Sequence, residues 1–329
     1  AFCNVYDGNY LGVLVVLDTG EAPFLVAIVG PTATGKSNLA IKVAQRFDGE
    51  VVSCDSTAVY KGFDIGTDKP QVADRQGVAH HLIDVVDGSS DYSAAQYARD
   101  ATIAINSITG RGRLPILVGG SGLYYRALTR GLFDGPGRDD GMRTRLERIA
   151  AKRGVEYLHR LVARVDPASA RRIQPRDEKR LIRALEVYYL TGRPLTDHFD
   201  STRSPIASYR VITFGLYLPP EEIARRVQYR VADQFQRGLI DEIKGLLDGG
   251  LSRRSHPFGG LVYRQVLEHL DGVRDGQATR DLIAQENRRY AKRQLIWFRK
   301  EPNLRWINVS GERPDAFQQV ATELQPRLR

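Results

Sequence analysis

The chain is poor in cysteine, with two in 329 residues, Cys3 and Cys54. Two thiols can build neither a disulfide framework nor a zinc cluster, and a reducing, cytoplasmic setting is expected. The six histidines show no metal-ligand spacing, and the pair His80-His81 reads as structural. No apolar run approaches the ~20 residues of a membrane span, and the run 11–17 reads as strand or tail rather than anchor. Internal repeats and low-complexity tracts are absent too, so neither a solenoid nor a disordered array is expected. Lysine is scarce: of 48 basic residues 39 are Arg and 9 are Lys, a bias that fits either a GC-rich genome or phosphate recognition by the planar guanidinium. What remains, 42% hydrophobic and 26% charged residues, is enough for one large core and a subsidiary domain.

The net charge of +9 is unevenly spread. Residues 138–183 carry 14 Lys+Arg against 7 Asp+Glu, residues 285–306 carry 7 against 2, and the remainder is slightly acidic. Two basic zones on an acidic background point to a polyanion larger than a nucleotide.

Residues Gly30-Pro31-Thr32-Ala33-Thr34-Gly35-Lys36-Ser37 spell G-x-x-x-x-G-K-[ST] between the apolar run Phe24 to Val29 and a helical pattern from Asn38 to Phe47. A strand feeding a Gly-rich turn into a helix aims backbone N–H groups and the positive helix end at one anion. The chain is therefore expected to hold a diphosphate or triphosphate, with Lys36 at the outer phosphates and the Ser37 hydroxyl on a Mg²⁺ ion.

Further β-rich runs at Val51 to Ser53, Leu114 to Val118 and Val211 to Leu218 predict a parallel sheet flanked by helices, an α/β fold. Residues Met142 to Arg153, Val155 to Val165, Pro167 to Ile173 and Glu178 to Leu190 read as helices without a strand between them. The expected organisation is an unassigned segment 1–22, a catalytic core formed by 23–137 and 200–329 with a helical C-terminal part, and an all-helical insertion at 138–199.

Asp55 follows the second strand, at the sheet edge where open α/β folds bind ligands. It reads as a Mg²⁺ ligand, as a general base, or as a turn cap. Ser121, in Gly119-Gly120-Ser121-Gly122, is a small hydroxyl suited to approaching a ligand, or simply a tight turn with a helix cap. Arg226 and Arg230 lie four apart on a predicted helix from Pro220 to Asp233, so they clamp a leaving diphosphate or stand on a solvated face. Arg176, Arg180 and Arg183, and near the end Arg289, Arg293 and Lys300 with Tyr290 and Trp297, form basic stripes. Such stripes fit a splayed RNA loop or a solvated face over an aromatic core.

Taken together, GPTATGKS (30–37), CDSTAVYKGFDIGTDKP (54–70), HHLIDVVD (80–87), GGSGLY (119–124), PRDEKRLIRALEV (175–187), GLIDEI (238–243), VYRQ (262–265) and YAKRQLIWFRK (290–300) resemble the tRNA dimethylallyltransferase (isopentenyltransferase) family. The resemblance runs from about Leu25 to Trp306. It implies a kinase-like P-loop domain whose helical insertion embraces the tRNA anticodon arm. The implied reaction moves a dimethylallyl group from dimethylallyl diphosphate to the N6 amine of the adenosine 3′ of the anticodon. By the resemblance Asp55 is the base, and Lys36, Arg230 and Mg²⁺ stabilise the departing diphosphate, which the loop 30–37 and Arg226 also hold. Ser121 bonds the substrate. The implied tRNA contacts are Ser56, Thr57, Ala58, Arg143, Lys179, Arg180, Leu181, Ile182, Arg183, Gly260, Leu261, Val262, Tyr263, Arg264, Lys292, Arg293, Gln294, Trp297 and Arg299, on a protein expected to act as a monomer.

Three departures from the family pattern are visible, at four positions. Thr57-Ala58 stands where the family commonly has Met-Gln, removing an amide able to bond an adenine edge. Ser121 replaces Thr, and Val262 replaces a Gly before the Tyr-Arg pair. The lack of a zinc-finger extension favours a bacterial or organellar type. Three other readings stand beside the leading one: a P-loop small-molecule kinase using ATP, a prenyltransferase of free adenine nucleotides, and a nucleotide-gated RNA-binding regulator.

Overall fold

In the computed structural model, which describes residues 22–133, 135–199 and 202–328, the apolar run Phe24–Val29 is strand β1. The segment 1–21, with the run 11–17 and Cys3, lies outside the described residues. Leu25 through Val29 are fully buried, which explains the lack of polar alternation, since helices cover both faces of the sheet. The chain continues through α1 (Lys36–Arg46), β2 (Gly49–Cys54), β3 (His80–His81), α2 (Ala94–Gly110), β4 (Leu114–Gly119) and α3 (Gly122–Thr129). Next come α4 (Asp140–Arg153), α5 (Val155–Val165), α6 (Pro167–Arg172) and α7 (Glu178–Thr191) with no strand between them. Then follow β5 (Arg210–Leu216), α8 (Pro220–Gln236), α9 (Leu239–Asp248), α10 (Tyr263–Leu270), α11 (Gly276–Phe298), β6 (Leu304–Ile307) and α12 (Pro314–Leu324).

The sheet order is β3-β2-β4-β1-β5-β6, and every pairing is parallel. This is the α/β fold expected from the strand runs, with two strands that sequence patterning did not reveal. β3 is the two-residue segment His80–His81 beside Val51 and Val52, and β6 places Arg305 opposite Phe214. Neither is long enough to show a period. His81 makes a 2.6 Å contact with the buried Glu50, which also accepts from Arg111 and Arg113, so the histidine has a structural role.

The chain forms two compact units, one of the described residues up to Tyr125 with those from Ser208, the other Arg126–Ala207. In the first, Val26 and Ile28 of β1 meet Leu39 and Val43 of α1, and Phe214 and Val320 extend the same core. In the second, Leu158 and Val162 are one turn apart on α5 and pack with Leu146, Leu181 and Leu185. Asp139, Asp166 and Asp177 cap α4, α6 and α7 through Met142 N, Ser169 N and Arg180 N. Glu186, with no exposed side-chain surface, accepts from Arg143 (2.8 and 3.0 Å), Arg183 (2.6 Å) and Asp139 N (2.9 Å). Burial pushes its pKa up, but these donors outweigh burial and hold it down at about 2. Among the described residues no helix is long and apolar enough to cross a membrane, and no group of three His, Cys, Asp or Glu is placed to hold a metal ion.

Candidate active site

The turn after β1 wraps into the N-terminus of α1. Gly30 sits at φ +132°, and a Cβ there would lie 2.6 Å from the carbonyl oxygen of Leu216 on the neighbouring strand, so only glycine fits. Thr34 Oγ1 donates to Pro31 O at 2.9 Å and closes the turn. Lys36 Nζ folds back to the same carbonyl at 2.6 Å. Burial, and after it the nearby Arg230 charge, push the Lys36 pKa down to about 7 against the opposing pull of Asp55 and Cys54. An anion bound here would restore the lysine's charge. Ser37, an exposed residue on the first turn of α1, has no side-chain partner among the described residues.

The loop opens into a cavity of about 990 Å³. Because β4 lies between β2 and β1, its turn Gly119-Gly120-Ser121 sits between the loop 30–37 and Asp55. Asp55 Oδ1 accepts from Thr57 N (2.8 Å), Thr57 Oγ1 (2.7 Å) and Ala58 N (3.3 Å). All three bonds fall on one carboxylate oxygen, leaving the other for the cavity. Thr57, a departure from the family pattern, thus adds a hydroxyl bond that holds Asp55 in place. Ser121 Oγ accepts from Ser56 N at 3.0 Å and donates to Ser56 Oγ at 3.3 Å, so it ties the β4 turn to the Asp55 turn. Cys54, beside them, is fully buried and its pKa is pushed up to about 12, which makes it inert.

α8 supplies the basic wall. Arg230 donates to Thr32 Oγ1 at 2.7 Å and pairs with Asp68 at 3.1 Å, directly over the loop 30–37. Arg226 is bound by two carboxylates, Glu222 at 2.6 Å and Glu312 at 2.8 Å, so its charge is already matched. Asp68, Glu312 and Tyr290 also line the cavity. Asp68 falls in the family segment 54–70, and along the chain Tyr290 reads only as an aromatic beside a basic stripe. Glu312 carries no local signal. Burial, then the charge of Asp55, raise the Tyr290 pKa to about 12.

The implied tRNA contacts divide. Lys179, Arg180, Arg264, Lys292, Arg293 and Arg299 are exposed cations, Gly260 and Leu261 are half-buried, and Ser56 and Thr57 are half-buried at the Asp55 turn. Arg143 and Arg183 are engaged by Glu186. Arg176 falls ahead of α7 and pairs with Glu156, so it is not part of a helical stripe. Leu181 and Ile182 are buried core residues of the second unit, so their side chains pack inside it. Tyr263 is also interior, with its hydroxyl donated to Glu242 at 2.7 Å. Ala58 is buried on the cavity wall, Trp297 is half-buried, and the Gln294 amide is turned inward to the backbone at Thr32 and Gly120. Val262 is buried at φ +76°, so this β-branched residue keeps the backbone that a glycine would adopt freely.

Residues 58–301 match the family described as IPP transferase. A tRNA dimethylallyltransferase of Geobacter metallireducens is 44% identical over 292 residues, 89% of this chain and 94% of that protein. One from Koribacter versatilis is 42% identical over 290 residues, 88% of this chain and 94% of its own. Of solved structures, the tRNA isopentenylpyrophosphate transferase of Bacillus halodurans is similar with a TM-score of 0.69 and 38% identity, covering 93% of this chain and 96% of that one. A eukaryotic dimethylallyltransferase acting on tRNA is similar with a TM-score of 0.75 and 26% identity, covering 93% of this chain and 80% of its own.

Proposed function

The chain belongs to the IPP transferase family, and from that premise we propose that it moves a dimethylallyl group from dimethylallyl diphosphate to the N6 amine of the adenosine 3′ of the anticodon in tRNA. It is a prenyltransferase acting on tRNA, and diphosphate is the leaving group. The observation that carries this reading is the sheet order β2-β4-β1, which sets Asp55 and the phosphate loop on either side of the Ser121 turn around one cavity. A carboxylate then faces the nucleophile's side, and Lys36 of the loop with Arg230 of α8 the leaving group's side.

An exocyclic adenine amine is a weak nucleophile, and the Asp55 oxygen not engaged by Thr57 and Ala58 takes its proton as the carbon–nitrogen bond forms. Lys36, Arg230 and the N–H groups opening α1 stabilise the charge gathering on the diphosphate. Ser121 holds the Asp55 turn through Ser56. The Ser37 hydroxyl, together with diphosphate oxygens and water, fits Mg²⁺, which needs few protein ligands and would neutralise leaving-group charge. The target base leaves its stack to enter the cavity, at least cost in a single-stranded loop. The exposed cations Lys179, Arg180, Arg264, Lys292, Arg293 and Arg299 are the phosphate contacts that grip the arm.

The test uses labelled dimethylallyl diphosphate and Mg²⁺ with either an anticodon stem-loop carrying adenosine at the target position or AMP. Label is expected in the stem-loop. Label in AMP alone would make this an enzyme of free nucleotides, and label in neither would return the kinase and regulator readings. Asp55→Ala should abolish transfer and leave RNA binding largely intact; unchanged turnover would remove Asp55 as the base.

A further inference from the structure

α11 turns one face inward. Tyr290, Gln294 and Trp297 are spaced by four and three residues, so they share that face, while Lys292, Arg293 and Arg299 are exposed. Of the three inward residues, Gln294 makes two specific bonds, and they reach different halves of the site. Its Oε1 accepts from Thr32 N in the phosphate loop at 2.8 Å, and its Nε2 donates to Gly120 O at the end of β4 at 2.9 Å. The residue is 7% exposed, and among the described residues no other side chain makes both bonds.

The β4 turn is shaped to receive this face. A Cβ on Gly120 would lie 2.2 Å from Gln294 Nε2, and one on Gly122 would lie 2.4 Å from the Trp297 ring. The glycines on either side of Ser121 therefore make room for α11. From Ser121 the connection passes through Ser56 N to the turn that carries Asp55. One amide thus stands between the part of the site that would hold diphosphate and the part that would hold the amine.

We infer that Gln294 is a positioning residue: by bonding Thr32 N and Gly120 O at once, it sets the spacing between the phosphate loop and the Ser121–Asp55 side of the cavity. This rests on the proposed prenyl transfer, because the spacing matters only where two bound groups must meet. It assigns the Gln294 side chain to alignment rather than to RNA contact. A misplacement of about 1 Å between reacting groups costs on the order of 100-fold in rate.

The experiment compares wild type with Gln294→Glu and Gln294→Leu. It measures kcat and KM for stem-loop and dimethylallyl diphosphate, the binding of inorganic pyrophosphate and of stem-loop separately, and the melting temperature. Gln294→Leu should lower kcat by about 100-fold, with each separate binding constant within about threefold of wild type. Gln294→Glu keeps the acceptor for Thr32 N but as a carboxylate faces Gly120 O without a donor, so its kcat should rise relative to wild type as pH falls and the acid regains a proton. A kcat that stays near wild type in both variants overturns the inference. So does a loss confined to RNA affinity, or a kcat loss in Gln294→Glu that ignores pH while the melting temperature drops. Wild type that transfers no label at all refutes the underlying reaction instead, which separates the two failures.

Discussion

Replacing Lys36 by Met keeps the apolar stem and removes a charge that burial disfavours. The folded-state pKa is about 7 against an ordinary 10.5. Below pH 7 the lysine is charged in both states, so the folded protein bears the full cost of holding it. Between 7 and 10.5 the unfolded chain keeps the proton and the folded one sheds it, so wild-type stability rises with pH across that window. Above 10.5 the cost is gone. At about 1.4 kcal/mol per unit, and discounting for partial solvent access, Lys36→Met should be more stable than wild type by about 2–4 kcal/mol at pH 7 without diphosphate. The advantage should shrink to nothing near pH 10.5. Urea denaturation of both proteins, followed by intrinsic fluorescence at several pH values, measures this. The same substitution should weaken pyrophosphate binding by about 10- to 100-fold, the loss of one charge-assisted hydrogen bond. Equal stabilities at pH 7, or a wild-type stability that stays flat between 7 and 10, would refute the account of Lys36 as a strained, pre-placed cation.

Glu186→Gln should destabilise the unit Arg126–Ala207 by about 2–4 kcal/mol at neutral pH, because it strips two arginines of their shared carboxylate. The wild-type contribution is fully present above the ordinary carboxyl pKa of 4.5 and is lost as pH falls through about 2; a Gln variant with unchanged urea midpoint and the same acid limb would contradict it. At position 262 the usual ranking should reverse. Val262→Ala keeps the strained φ and loses burial, whereas Val262→Gly removes the strain, so the Gly variant should melt above the Ala variant by an amount on the order of 1 kcal/mol. Arg230→Ala should reduce transfer by about 100-fold, while Arg226→Ala, whose charge is already matched by Glu222 and Glu312, should cost no more than about 10-fold; the opposite order in steady-state kinetics would reject this division of labour.

The turn 30–37 was legible along the chain because its geometry is local: a buried strand, glycine positions and a helix start lie within about twenty residues. The helices α4 to α7 were legible for the same reason, since Leu158 and Val162 or Leu181 and Leu185 repeat one turn apart whatever they later pack against. Asp55 could be placed at the sheet edge because it directly follows a strand, and family resemblance narrowed its role. The strands β3 and β6 could not be read this way, being two and four residues long and defined by the neighbour each one pairs with. Nor could the difference between Arg226 and Arg230, identical in spacing and composition, since it depends on Glu312 meeting one and Asp68 the other. Gln294 shows the limit most clearly. Along the chain it sits among cations and reads as a nucleic-acid contact, yet its amide bonds to Thr32, 262 positions away. Helical period and turn chemistry are set by bonds between near neighbours and so are written locally. The inward face of α11 is selected by which loops the packed sheet brings beside it, and that choice is made only when the chain has folded.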